Sequence, residues 1–344
     1  MKYTTLPGTD LKVSKICLGT MTWGQQNIET EAHQQMDYAF QQDVNFFDTA
    51  EMYPIPPRPG TQGATEKMIG TWFKKTGNRD KIILATKIVG PDSLKHIREN
   101  LGFSKAAIDD AVHNSLKRLQ TDYIDLYQLH WPERNTNFFG QRGYTHKENE
   151  KWNDNFKEIL EALNTHVKEG KIRYIGVSNE TPWGTMRFLE ESKKSNLPRI
   201  RTIQNSYSLL NRTFETGLSE ISMRENIGLL AYSPLAFGVL SGKYLSGEPK
   251  DARLTLFPHY SRYSNPQATE ATKKYCRLAE DHNLSPVQMA LAFINRQPFV
   301  TANIIGATTI EQLQENIESI HIELSKDVQE EIKKIHEAIP NPAP

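Results

Sequence analysis

Four side chains in this sequence can move or hold a proton, and each stands where a short apolar run stops. Asp48 closes VNFF, Lys87 closes IILAT, His130 follows YIDLYQL, and Tyr53 lies just beyond Asp48 in the loop DTAEMY. A phenol is a poor acid near neutral pH because its unperturbed pKa is about 10. A neighbouring cation favours the phenolate and draws that value down toward the working range. Lys87 is available as that cation, Asp48 as the carboxylate that holds the lysine, and His130 as a group that orients a polar oxygen. Each has an ordinary structural use: an Asp after a strand often caps a helix, and a Lys, Tyr or His at such a position is often solvated. All four at the ends of successive apolar runs read together as one proton-handling set.

The elements that must position them follow from the order of patterns. Apolar runs rich in Ile, Val, Leu and Phe occur at about 16–18, 44–47, 82–86, 123–129, 172–177, 200–204, 228–232 and 302–305. Amphipathic stretches of helical spacing separate them: 30–42, 64–75, 105–119, 155–169, 182–194, 214–224, 269–282 and 309–319. Strand then helix, repeated, means parallel pairing through crossover helices. Eight such units predict an α/β fold, a closed (β/α)8 TIM barrel, and the absence of Gly-x-Gly-x-x-Gly after any strand argues against a dinucleotide-binding doubly wound sheet. GTMTWG, Gly19–Gly24, lacks the Lys-Ser/Thr ending of a phosphate loop. The expectation is one domain over 1–344: an N-terminal β-hairpin at about 3–15 turning at Pro7–Asp10, a barrel at about 16–320, and an extra C-terminal helix and tail at about 325–344. The hairpin is expected to plug the barrel's N-terminal mouth, and the proline-rich end 339–344 to be a tail or strap.

Two long loops, 54–63 and 132–152, stand on the side where barrel sites form. They are candidate substrate walls, with plain surface as the alternative for 141–150. A third long stretch, 242–266, separates the seventh strand from its helix and contains Lys243, Arg253, His259, Tyr260, Arg262 and Tyr263. Further polar residues end the later strands: Ser178 and Asn179 after YIGV, Gln204, Tyr232 and Ser233 after GLLA, and Gly306 after NII. Shared placement at strand ends predicts one pocket.

The bulk numbers exclude other classes. The 344 residues are 38% hydrophobic with zero formal net charge, which gives no electrostatic case for nucleic acid or an anionic membrane. No apolar run reaches the length of a membrane span, and the N-terminus has no secretory apolar region. The two cysteines, Cys17 and Cys276, show no CxxC spacing, so they read as reduced structural thiols in the cytoplasm. No metal is expected. A serine nucleophile at Ser178 lacks a neighbouring base. A phosphosugar-processing barrel would leave the Asp48–Tyr53 pattern without a task.

GTMTWG, NFFDTAEMY, ILATK, DYIDLYQLHWP, GKIRYIGVSN, IQNSYSLLNR, AYSPLAFGVLSGKY and IIGATTIEQLQENI occur in that order. Together they resemble the aldo-keto reductase superfamily, in detail its bacterial Tas-like branch, from Leu6 to about Ile335. The resemblance implies NADPH-dependent reduction of aldehydes or ketones, with Tyr53 as general acid, Lys87 and Asp48 supporting it, and His130 orienting the carbonyl. It implies that Tyr232 stacks on the nicotinamide while Asp48, Ser178, Asn179 and Gln204 surround it, with Gly19, Thr20 and Met21 beside them. It implies that Ser233, Pro234, Leu235, Gly238, Ser241 and Lys243 wrap the pyrophosphate, with Arg253 reaching the ribose phosphate. Gly306, Thr308, Gln312, Glu315 and Asn316 take the adenosine end. Trp23, Met52, Tyr53, His130 and Trp131 are the substrate-facing candidates, with Phe139 beside them. The segment ATTIEQLQEN carries no Arg or Lys where many relatives have one, so NAD(H) stays open beside NADP(H) unless Arg253 or Lys243 supplies the charge. The sequence is also similar to voltage-gated potassium channel β-subunits, which makes a cofactor-sensing binding module the alternative. Oligomeric state and direction of reaction stay open.

Overall fold

Apolar residues alternate between two scales here, short β-branched runs and longer amphipathic stretches, and each kind buries on a different side of the same wall. The computed structural model describes residues 1–91 and 94–344. Strands β1 (Tyr3–Thr5) and β2 (Lys12–Ser14) pair antiparallel, Tyr3 opposite Ser14. Eight parallel strands then close a barrel: β3 (Ile16–Gly19), β4 (Phe46–Asp48), β5 (Ile83–Ile88), β6 (Ile124–Leu129), β7 (Ile172–Ser178), β8 (Ile200–Ser206), β9 (Gly228–Tyr232) and β10 (Val300–Ile305). β10 pairs with both β9 and β3, so no edge is left open.

The helices are α1 (Glu29–Gln41), α2 (Ala64–Thr76), α3 (Lys105–Leu119), α4 (Phe156–Lys168), α5 (Pro182–Ser195), α6 (Leu218–Glu225), α7 (Arg253–Leu256), α8 (Pro266–Asp281), α9 (Pro286–Asn295), α10 (Ile310–Glu318) and α11 (Lys326–Ala338). Their starts are chemically marked. Ser104, Thr181, Asn265, Ser285, Thr309 and Ser325 each accept a backbone N–H of the first turn, and Pro182, Pro266 and Pro286 supply fixed φ at the first helical position.

Two cores result. Between strands and helices lies the large one, with Trp72, Ile108, Leu160, Ile203 and Leu291 among its members. Inside the barrel, Leu6, Leu11 and Val13 of the hairpin pack on Cys17, Phe46, Ala85, Leu126 and Leu230. The hairpin therefore packs across the N-terminal mouth, as expected, and leaves the C-terminal mouth for a ligand.

Three elements depart from the sequence reading. The stretch 214–224 is not one helix: a 3-10 turn at Thr213–Thr216 breaks at Gly217 (φ −149°, ψ −42°) before α6. Glu215 holds that turn by accepting from Tyr207 and Arg212. Helix α9 had no amphipathic signal because it is apolar on nearly every face and almost wholly buried. Helix α8 begins at Pro266 rather than 269, because Asn265 caps it. Among the described residues no helix is long and apolar enough to cross a membrane.

Candidate active site

Asp48 is the last residue of β4, and Lys87 lies near the end of β5, whose register places Asp48 opposite Ala85. The ladder thus brings the two side chains into the barrel's upper interior. Lys87 is fully buried and donates to Asp48 Oδ2 at 2.7 Å and to the Thr49 carbonyl at 2.6 Å. Asp48 Oδ1 accepts from Gln204 Nε2 at 2.8 Å and from Gln128 Nε2 at 3.3 Å. The Lys87 ammonium sits 5.0 Å from the centre of the Tyr53 ring, and that ring meets His130 edge-on at 5.8 Å. The four residues expected to act together are therefore neighbours.

Their charges are set by burial against pairing. Burial pulls the Lys87 pKa down, but the Asp48 and Tyr53 charges outweigh it and hold the ammonium above its ordinary value. Burial pushes the Tyr53 phenol up, and the Lys87 charge pulls it down without overcoming that, so the net shift is upward. Sequence reasoning weighed the lysine and not the desolvation. His130 is held well below its usual value, by burial first and the Lys87 charge second, so its imidazole is neutral at neutral pH.

The strand ends form one connected polar ring. Tyr232 donates to Asn179 Oδ1 at 2.6 Å; Asn179 Nδ2 donates to the His130 carbonyl and to Ser178 Oγ; Ser178 Oγ donates to the Gln204 carbonyl. Asn179 turns through a left-handed conformation (φ +52°) to point its amide inward. Behind this ring, Glu51 accepts from Val89 N at 2.7 Å and pairs with Arg98, while its own N–H donates to the Lys87 carbonyl. Glu51 thereby ties the Tyr53 loop to the end of β5. Nothing in its spacing marked it beyond its place in DTAEMY.

A single cavity of about 1300 Å³ covers this floor, more than the ~300–1,000 Å³ usual for one small ligand. All the residues expected around a cofactor line it: Gly19, Thr20, Met21, Asp48, Ser178, Asn179, Gln204, Tyr232, Ser233, Pro234, Leu235, Gly238, Ser241, Lys243, Arg253, Gly306, Thr308, Gln312, Glu315 and Asn316. After β9 the chain takes positive φ at Ser233, Ala236, Phe237 and Gly238, which folds the backbone tightly over the cavity. A Cβ on Gly238 would stand 3.0 Å from the Lys243 ammonium. Arg253 lies over the Phe237 ring at 5.1 Å. Burial lowers the pKa of both cations, and Lys243 also feels the Arg253 charge. At the other end Thr309 caps α10, Gln312 accepts from Thr308 N, and Asn316 donates to the Gly306 carbonyl.

On the substrate side Met52, Tyr53, His130, Trp131 and Phe139 all line the cavity. Trp131 packs 5.0 Å from His130 and 5.6 Å from Phe139. Trp23 does not belong with them. Its loop folds back on itself, with Gly24 N–H bonded to the Asn27 carbonyl, so the indole turns into the layer beneath α1. There it is fully buried and donates to Gln35 Oε1 at 2.9 Å. Met21, Thr22 and Gln26 of the same loop face the cavity instead.

Sequence reasoning missed two other lining groups. Arg262 was noted but given no task. The end of the chain reaches back to the barrel mouth: Asn341 accepts from Arg212 N, Pro342 O accepts from Asn265 and Arg142, and Ala343 and Pro344 form part of the cavity wall. Nothing in IPNPAP says where it docks. Among the described residues no cluster of three His, Cys, Asp or Glu is arranged to hold a metal.

Residues 15–337 match the Aldo/keto reductase family. The chain belongs to that family. It is 52% identical to Protein tas of Escherichia coli over all of both chains. It is 35% identical to the uncharacterized oxidoreductase YrpG of Bacillus subtilis, covering 99% of this chain and 97% of that one. It is also 29% identical to L-glyceraldehyde 3-phosphate reductase of Escherichia coli, over 93% of this chain and 88% of the other. With this family and these relatives, the chain is an oxidoreductase of a class that generally uses NAD(P)H and acts on small carbonyl compounds.

Proposed function

We propose that this aldo/keto reductase reduces aldehydes or ketones to alcohols with NADPH, and that Tyr53 delivers the proton. The observation that carries the reading is the Asp48–Lys87–Tyr53–His130 cluster at one edge of a cavity large enough for two ligands.

A nicotinamide dinucleotide suits the residues present. The left-handed run at Ala236–Gly238 exposes backbone beside Lys243, and Arg253 stands near that lysine, so among the described residues two cations there pair with no carboxylate. Such a place favours a phosphate group. Tyr232 would stack on the nicotinamide, Asn179, Ser178 and Gln204 would hold its amide, and Thr308, Gln312, Glu315 and Asn316 would meet the adenosine. NADPH over NADH follows from Lys243 and Arg253, since the segment after β10 has no basic residue. When bound, the cofactor supplies the hydride.

The chain's own groups do the rest. His130, neutral, donates a hydrogen bond to the substrate oxygen and fixes its direction. Tyr53 protonates that oxygen as negative charge develops on it. The Lys87 ammonium stabilises the phenolate left behind, and Asp48 keeps Lys87 charged and in place. Trp131, Met52 and Phe139 shield the carbonyl from water. Two buried free thiols suit a reducing compartment, and we assign the reaction to the cytoplasm.

The test is loss of NADPH absorbance with 4-nitrobenzaldehyde, run in parallel with NADH. Removing a general acid costs about 10²–10⁴ in rate. Tyr53→Phe should therefore lose at least about a hundredfold in kcat while binding NADPH as the parent does. Parent-like turnover in that variant would show that Tyr53 is not the acid. Tight NADPH binding with no turnover in the parent would favour the cofactor-sensing alternative.

A further inference from the structure

We infer that Glu51 is a positioning residue for proton delivery: its carboxylate, held by Arg98, completes the β4–β5 ladder where the backbone turns away, and so sets the placement of Tyr53 against Lys87. The inference rests on the reductase reading above and adds to that site a residue outside the Asp48–Lys87–Tyr53–His130 cluster.

Parallel strands bond at evenly spaced rungs, and β4 and β5 keep that spacing past the end of β4. The Ile83 N–H donates to the Asn45 carbonyl at 2.7 Å, the Thr49 N–H to Ala85 at 2.9 Å, and the Glu51 N–H to Lys87 at 3.2 Å. The next rung would join the Val89 N–H to the Glu51 carbonyl. By then the chain has turned: the Tyr53 N–H donates to the Ala50 carbonyl at 3.0 Å, and the Glu51 carbonyl accepts from Gln62 Nε2 at 2.7 Å instead. The Glu51 side chain takes the missing place, its Oε1 accepting from Val89 N at 2.7 Å. A buried N–H left without a partner costs about 1–3 kcal/mol, so the carboxylate is needed at that point. Glu51 thus bonds the strand of Lys87 twice, by main chain and by side chain, two positions before the phenol.

Arg98 fixes the carboxylate in turn. Its Nη1 donates to Glu51 Oε1 at 2.9 Å, its Nη2 to Glu51 Oε2, and its Nε to Asp110 Oδ2 of α3 at 3.2 Å. Two parallel contacts between a guanidinium and a carboxylate set direction as well as distance. The segment around Arg98 also belongs to the substrate wall. Leu94, Ile97 and Leu101 pack against the cluster of Ala50, Met52, Val89 and Trp131, and Leu94 lines the cavity. The Glu51–Arg98 pair therefore joins the turn of the proton donor, the end of the lysine strand and that wall. Glu51 itself is fully buried and is not part of the cavity lining, so it acts through Tyr53. Burial pushes its carboxyl up in spite of Arg98, so a neutral side chain of the same length suits the position. What the site uses is the reach of the side chain. A proton donor displaced by about 1 Å can lose about a hundredfold in rate.

The experiment compares Glu51→Asp with Glu51→Gln in the full chain. Aspartate keeps the charge but draws the carboxylate back by about 1.5 Å, the length of one carbon–carbon bond, away from Val89 and Arg98. Glutamine keeps the length and an oxygen for Val89 N and Arg98 Nη1, while Arg98 retains Asp110. Turnover of 4-nitrobenzaldehyde at saturating NADPH is measured per NADPH-binding site, in water and in heavy water, with NADPH affinity from fluorescence titration. Glu51→Asp should bind NADPH as the parent does and lose about ten- to a hundredfold in kcat. Its solvent isotope effect should be larger than the parent's, because proton delivery becomes the slower step. Glu51→Gln should lose only a small part of that rate. A merely structural role would lower the fraction of protein that binds NADPH and leave the isotope effect per site unchanged. If Glu51→Asp binds no NADPH, Gln62→Ala decides, since it frees the Glu51 carbonyl and loosens the same turn. Its kcat should fall and its isotope effect rise in the same sense. Parent-like kcat and isotope effect in the deciding variant overturn this inference alone, and so does a glutamine variant as slow as the aspartate one. No turnover by the parent overturns the reductase reading itself.

Discussion

The Asp48–Lys87 pair can be tested as a unit, because its partners are known atom by atom. Asp48→Asn keeps the shape and an acceptor for Gln204 and Gln128 but removes the charge 2.7 Å from a fully buried ammonium. Lys87 would keep the neutral Thr49 carbonyl and the Tyr53 hydroxyl but no counter-charge of its own from Asp48. Breaking a buried pair by removing one partner costs about 3–5 kcal/mol. Unfolding entropy of about 2.1 cal/mol/K per residue gives roughly 0.7 kcal/mol/K for a chain of 344 residues. The melting temperature should thus fall by about 4–7 °C. Lys87→Met alone should fall by a comparable amount, because it strands the carboxylate. The double variant Asp48→Asn with Lys87→Met leaves no unpaired charge and should recover much of the loss, as paired removal of buried ions commonly does. Calorimetric melts at one protein concentration and neutral pH read all four proteins. A loss under about 1 °C in Asp48→Asn, or a double variant as unstable as both singles added, would refute the claim that the pair is a coupled buried unit. All three variants should be catalytically impaired even where stability returns, since the phenolate loses its cation.

The further predictions concern protons and phosphates. With Tyr53 shifted upward and His130 far below its ordinary value, both hold their working protonation states through neutral pH. The rate of aldehyde reduction should be flat from about pH 7 to 9 and fall only above about 10, and a decline centred below pH 9 would contradict it. Stability has the matching signs. Lys87 and Tyr53, both raised, hold protons that the unfolded chain releases near pH 10, so the melting temperature should drop as pH rises past that point. His130, lowered, stays neutral where the unfolded chain protonates, so stability should also drop as pH falls below about 6.5. Finally, Lys243→Met and Arg253→Met should each weaken NADPH binding by about tenfold or more, the size of one charge-assisted contact, and weaken NADH less. Equal losses for both cofactors would move the extra phosphate elsewhere.

Much of this was written in local pattern. Strand-length apolar runs, their amphipathic spacers and the polar residue closing each run are properties of neighbours in sequence, so the barrel, its hairpin plug and the membership of Asp48, Tyr53, Lys87 and His130 in one site could be read directly. Helix α9 could not, because burial on all faces erases the periodicity that marks a helix. Trp23 was misread for a related reason: it follows a strand, but whether a loop residue faces the mouth or the helix layer depends on how the loop turns back, and here hydrogen bonds among Thr20–Asn27 decide it.

Residue type and order fixed which chemistry the barrel mouth can carry. Tertiary packing alone set the strength of each charge and the shape of the walls. The Tyr53 phenol is raised rather than lowered because desolvation by the surrounding fold exceeds the pull of one lysine. Arg262 meets Ser206 and Pro344 because segments 56 and 82 residues away in the chain converge on it. Burial and long-range contact are sums over the whole molecule, and no window of sequence contains them.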